Sequence, residues 1–254
     1  MTMHLVKRSP WPLIARAGVF SVVTTLLNRI LTKSFWFLGS AVLFLLIVTG
    51  LWVSNIIDES VMGGFHTTPV VGGLKVGFIL FILREVILFF SLFWAFYHFT
   101  LAPDISTGGI TPPPSIFIPH YLDIPLLNTS LLLLSGVRLT ASHIGFESFD
   151  RQKTIVYLVT TILLGILFLY FQCIEYYEIS FTIMDSSYCS IFFIGTGTHG
   201  LHVFLGLCML LVSIVFISTG YLNGWKGLGF LTSIWYWHFV DVVWLFLYFV
   251  FYVT

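Results

Sequence analysis

The chain has 254 residues, 58% of them hydrophobic and only 9% charged, with a mean hydropathy of +1.00. A soluble domain of this length disperses itself with about a quarter of its residues charged, so this composition excludes one and makes lipid the main solvent. The net charge is zero, which gives no electrostatic reason to expect nucleic acid or an acidic ligand.

A membrane-crossing helix needs about 20 apolar residues to span a hydrocarbon core of about 30 Å. Seven segments qualify, and together they predict an all-α membrane protein. The amino-terminal dozen residues carry Lys7, Arg8 and two prolines, with no clean apolar block and no small-residue cleavage site. That pattern predicts insertion during synthesis, in a bacterium or inside the organelle that encodes the protein. The first span, about 12–31, is the least apolar because Arg16 and Arg29 bracket it. The second covers about 35–56. The third, about 70–101, is long enough at 1.5 Å per residue to reach about 45 Å, crossing core and headgroups with some tilt.

Residues 102–125 contain six prolines and read as an irregular surface connection. Spans four to seven follow at about 126–147, 153–178, 187–219 and 229–253. No soluble domain is left over, so the expectation is a single polytopic membrane domain over 1–254. No internal repeat is visible, which argues against an inverted-repeat transporter. Lysine and arginine near the span ends put Lys7, Arg8, Arg16, Lys75, Arg151, Lys153 and Lys226 on one side and Arg29 and Lys33 on the other. The positive-inside rule then predicts an inner amino terminus, in matrix or cytoplasm. Glu175, Glu178, Asp104, Asp123 and Asp185 gather on the outer side.

Ionisable groups at membrane depth are costly and therefore candidates for function. Glu85 lies near the middle of the third span, His202 near the middle of the sixth, and Asp241 in the middle of the seventh with His238 one turn before it. Arg84 and Arg138 lie near mid-depth in the third and fourth. Equal depth lets Glu85, His202 and Asp241 meet inside a bundle. Glu85 is either a protonatable acid, neutral or paired with His202, or a structural hydrogen-bonding group. Neighbours on a helix point about 100° apart, so Arg84 is expected to pair with something other than Glu85, such as Asp241 or a lipid phosphate.

His199 and His202 are spaced i,i+3, but a bis-histidine haem needs a second pair on a facing helix, and His238 is single. Gly195, Gly197, Gly200 and Gly206 flank them at spacings that permit close helix approach. The three cysteines, Cys173, Cys189 and Cys208, lack metal-binding spacing and read as small apolar helix residues. Trp94, Tyr97 and His98, and Trp225, Trp235, Tyr236 and Trp237, form either an interfacial aromatic belt or, with Lys75, His66 and Lys226, a site for an anionic lipid headgroup.

Six stretches carry a resemblance. They are HLVKRSPWPL at 4–13, HTTPVVGGLKVGFILFILREV running into FFSLFWAFYHFTLAP over 66–103, PLLNTSLLLLSGV at 125–137, EYYEISFTIMDSSY at 175–188, GTGTHGLHVFLG at 195–206 and WYWHFVDVVWLFLY at 235–248. In order and from end to end, the chain resembles subunit III of the cytochrome c oxidases, of mitochondrial type. The resemblance implies helices 1–2 splayed from a bundle of helices 3–7, with phospholipid held in the cleft. It implies a non-redox core subunit of respiratory complex IV in the mitochondrial inner membrane, with a bacterial plasma membrane as the alternative. The implied role is assembly and stability, lipid retention, and proton uptake by the catalytic subunit during electron transfer from cytochrome c to oxygen.

The implied partners are catalytic subunit I, other oxidase subunits, membrane lipids and a respiratory supercomplex. No redox cofactor is bound directly; haem a and copper sit in partner subunits. Glu85 matches the family's buried glutamate, and His202 and Tyr236 match positions that hydrogen-bond it. Trp52, Glu59 and His66 match the lipid-holding region, to which Lys75, Trp94 and Lys226 are added from the residues themselves. The chain departs from the family pattern at Arg84, where a small or apolar residue is usual, at Asp58, where a base is common, and in GYLNGWKGLGF, which lacks histidines. A small proton-coupled transporter using Glu85 and Asp241 is the alternative function. An intramembrane serine protease is disfavoured because LLLLSGV lacks the first glycine of GxSG.

Overall fold

The computed structural model describes residues 9–32, 36–61, 67–103, 109–110, 116, 119–220 and 227–253. Among them are seven long helices: α1 (Trp11–Thr32), α2 (Trp36–Val61), α3 (Thr68–Leu101), α4 (Ile124–Glu147), α5 (Arg151–Glu178), α6 (Ser187–Ser218) and α7 (Leu228–Tyr248). One π-helical turn, Phe249–Val253, prolongs α7. All seven are long and apolar enough to cross a membrane. Hydrocarbon offers the backbone no hydrogen bonds, so each span must satisfy its own N–H and C=O groups, and a helix does this within one segment.

The predicted spans and the helices agree within a few residues. The largest difference is at the end of α2, which continues through Asp58 and Glu59 to Val61. Charged residues do not end a helix; they mark where it leaves the hydrocarbon. Pro125 sits in the first turn of α4, where its missing N–H costs nothing. The Asp150 side chain accepts from the Lys153 backbone amide to cap α5, and Ser186 caps α6 through the Cys189 amide.

The helices form two compact units, Met1–Leu74 and Lys75–Thr254. In the first, α1 packs on α2, and most of their large apolar side chains remain exposed, as suits helices bathed in lipid. In the second, α7 is the centre. Trp237 and Trp244 are fully buried, and each indole N–H donates to a hydroxyl of α4: Trp237 to Ser135 at 2.9 Å and Trp244 to Thr129 at 3.0 Å. Two glycines seat the Trp237 ring. A methyl at Gly165 of α5 would lie 2.6 Å from Trp237, and one at Gly206 of α6 would lie 2.9 Å from it. Gly195 seats Phe251 in the same way, whereas Gly200 has nothing within 4 Å. Of the glycines flanking the two histidines, Gly195 and Gly206 therefore make the close approaches.

Candidate functional site

The buried face of α3 recurs at helical spacing: Phe78, Phe81, Ile82, Glu85, Phe89, Phe96. Glu85 is the one charged group on that face, and its side chain is only 12% exposed. It meets His202 of α6, whose Nε2 lies 3.1 Å from Glu85 Oε2. The pair sits among rings. Phe89 approaches His202 edge-on at 5.1 Å, and Tyr236 of α7 lies nearly parallel to it at 6.3 Å, with Phe81 stacked on Tyr236 in turn. Tyr236 thus comes to the pair through its ring; among the described residues no hydrogen bond joins its hydroxyl to Glu85.

The geometry fixes a proton. His202 Nδ1 lies 2.8 Å from the carbonyl of Thr198, one turn back on α6. A carbonyl only accepts, so Nδ1 carries a hydrogen. Nε2 then faces Glu85 in one of two ways: as the N–H of an imidazolium opposite a carboxylate, or as a bare nitrogen accepting from a protonated acid. Either way the pair holds one shared proton. With no proton between them, a nitrogen lone pair would face a carboxylate oxygen at 3.1 Å in a ring-lined, low-dielectric site.

Arg84 corrects the sequence-based expectation. Its Nε and one terminal nitrogen both donate to Glu85 Oε1, at 3.0 and 2.6 Å. The backbone vectors of adjacent residues do diverge by about 100°. The arginine stem is long enough to fold back around the helix, crossing the Phe81 ring with its guanidinium 4.9 Å from the ring centre. Most of the side chain, 71%, stays exposed.

Asp241 is not brought to this group. Five residues separate it from Tyr236, which is about 140° around α7. It is buried on the side of α4, where a methyl at Gly136 would lie 2.7 Å from its Oδ2, and its near partner is His238 Nδ1 at 3.8 Å. His238 Nε2 in turn lies 3.5 Å from Thr140 of α4. His199 also separates from His202: its Nε2 donates to the Val240 carbonyl of α7 at 3.2 Å, while His202 turns to α3. Among the described residues no three His, Cys, Asp or Glu side chains gather as a metal cage. The cysteines are free.

One buried acid escaped the sequence reading. Glu175, placed there among the outer-side acids, is 2% exposed and accepts from the Tyr252 hydroxyl at 2.6 Å. The signal available was the run of aromatic residues ending the chain, which carries Tyr252 back over α5.

The residues expected at a lipid site are scattered over both units. Trp52 and Glu59 are half-buried on α2, and Lys75 is half-buried near the start of α3. His66 and Lys226 lie outside the described residues. Trp94, 69% exposed, lines a groove of about 730 Å³ between α3 and α7, whose walls include Phe89, Phe93, Phe246 and Val250. The groove is apolar along its length, and Tyr97 and His98 stand near the α3 end of it.

Comparison with known proteins identifies the family. The family model described as cytochrome c oxidase subunit III matches residues 1–254. The cytochrome c oxidase subunit 3 of Yarrowia lipolytica is 43% identical over 252 residues, covering 98% of this chain and 94% of the relative. That of Triticum aestivum is 42% identical over 249 residues, with 96% and 93% covered. That of Osphranter robustus is 43% identical over 245 residues, with 96% and 94% covered. The chain therefore belongs to the cytochrome c oxidase subunit III family and is a multi-pass membrane subunit of that oxidase complex.

Proposed function

We propose that this chain is the non-redox core subunit that packs beside catalytic subunit I. In that place it stabilises the assembly, retains phospholipid and supplies protons to the catalytic subunit's uptake path. It does this in the mitochondrial inner membrane, amino terminus on the matrix side, in line with the lysine and arginine distribution and with eukaryotic relatives. Haem a and copper belong to the partner subunits.

The observation that carries the proton part is the Glu85–His202 pair. Its Nδ1 hydrogen bond to Thr198 leaves one proton shared across 3.1 Å in a ring-lined site. A carboxyl–imidazole pair that shares a proton takes up and releases it with little rearrangement. The α3–α7 groove supports lipid retention: its size and apolar walls suit acyl chains, and Trp94 and His98 suit the glycerol and headgroup region. Lys75 lies 19 residues before Trp94, about 28 Å along α3, so it offers its cation to a separate anionic headgroup at the other end of the helix and not to this groove. The transporter alternative finds no support: the relatives are oxidase subunits, and Glu85 meets α6 while Asp241 lies against α4.

Purification through a tag on this chain, read by absorbance and mass spectrometry, tests the placement. The expected result is a haem a spectrum with the large catalytic and copper-bearing subunits and tightly bound phospholipid. A colourless lone chain would overturn it.

A further inference from the structure

The charge of the Glu85 site does not balance within this chain. Arg84 carries one positive charge, and Glu85 and His202 together hold one shared proton, so that pair sums to zero wherever the proton rests. The cluster is left at plus one. Its excess charge points outward: the Arg84 side chain is 71% exposed, among Leu80, Leu83, Ile87 and Leu88, which are also exposed. Two of its nitrogens are spent on Glu85 Oε1, and its remaining terminal nitrogen makes no hydrogen bond among the described residues.

Depth decides what answers it. Arg84 is 16 residues from Thr68 and 17 from Leu101, about 24–26 Å from either end of α3. The hydrocarbon core reaches only about 15 Å from its midplane to either side, so lipid phosphates lie near the helix ends and cannot come to Arg84. Nor does this chain hold another acid to offer. Of its 11 acidic residues, only Glu85 and Asp241 lie near the middle of a membrane helix, and Asp241 is committed to the α4 side beside His238 and Gly136. The residues of α1 and α2 from Trp11 to Ile57 include no acid at all.

We infer that the Arg84 face of α3 is a docking surface for a transmembrane helix of another oxidase subunit that presents an Asp or Glu carboxylate at mid-membrane depth. The leucines around Arg84 give the apolar flank of such an interface, and the guanidinium gives its register, because a charge pair inside hydrocarbon tolerates no slip. The inference rests on the oxidase reading above for the partner's identity, and on the site geometry alone for the partner's chemistry.

The test uses the intact oxidase, purified with its haem a spectrum so that the oxidase reading is already satisfied. A structure of that complex is expected to place a partner carboxylate oxygen within about 4 Å of the Arg84 guanidinium. In parallel, R84Q keeps most of the length and removes the charge. It is expected to weaken retention of this chain in detergent by at least about 30-fold, and R84K to restore much of it. Lipid tails, a lipid headgroup, a water-filled cavity or the chain's own helices against Arg84 would each overturn the inference. So would an R84Q complex as detergent-resistant as the wild type.

Discussion

Replacing Glu85 separates its hydrogen bonds from its charge. In E85Q the amide oxygen takes the place of Oε1 and accepts from Arg84, and the amide nitrogen takes the place of Oε2 and donates to His202 Nε2. His202 is ready for this, because its proton already sits on Nδ1, held by the Thr198 carbonyl. E85Q therefore keeps every bond and is expected to cost about 1 kcal/mol or less. E85A removes all three bonds. The His202 bond is charge-assisted and buried, worth about 1.5–3 kcal/mol, while the Arg84 pair is largely exposed and adds about 0–1 kcal/mol. The two variants should differ by about 2 kcal/mol, or about 4–8 °C in melting temperature. The assay is thermal unfolding of the purified complex, followed by loss of this chain. If E85Q melts with E85A and well below wild type, the ionic charge and not the bonding pattern holds the site, and the proton-sharing geometry is wrong.

Three further outcomes follow from the packing. G206V places side-chain carbon within 2.9 Å of the immobile Trp237 ring and should destabilise by about 1–3 kcal/mol in the same melt, whereas G200A, with nothing within 4 Å, should be close to neutral. W244F removes the indole N–H that satisfies Thr129 and should cost about 1–2 kcal/mol. V242W fills the α3–α7 groove, which Val242 lines, and should lower the phospholipid that mass spectrometry finds with the complex while leaving the melt unchanged.

Helix number and approximate extent were readable from the chain because a bilayer imposes a minimum apolar length on every crossing segment, and local composition reports it. From the residues alone the pairing of Glu85 with His202 was readable as a coincidence of depth; the resemblance added that His202 matches a position that hydrogen-bonds the buried glutamate. Depth alone failed for Asp241, because two residues at one level meet only if their helices turn the same faces inward, and α7 turns Tyr236 toward α3 and Asp241 toward α4. The 100° rule failed for Arg84 because it governs where a side chain starts, not where a four-atom stem ends. The burial of Glu175 was not legible, because position along a helix says nothing of what a later segment lays over it; Tyr252, 77 residues on, covers it. The departure at Arg84, visible in the sequence as an oddity, gains meaning only once the proton count of its neighbours is known.

On the proposed function, the proton shared by Glu85 and His202 serves the catalytic subunit. The direct measurement is the turnover of oxidase assembled with E85Q, at alkaline pH where proton supply limits uptake. Full haem a content with a shorter catalytic lifetime than wild type is the predicted result. A fully assembled E85Q oxidase with wild-type activity and lifetime at every pH would contradict the account and leave the pair a structural tie between α3 and α6.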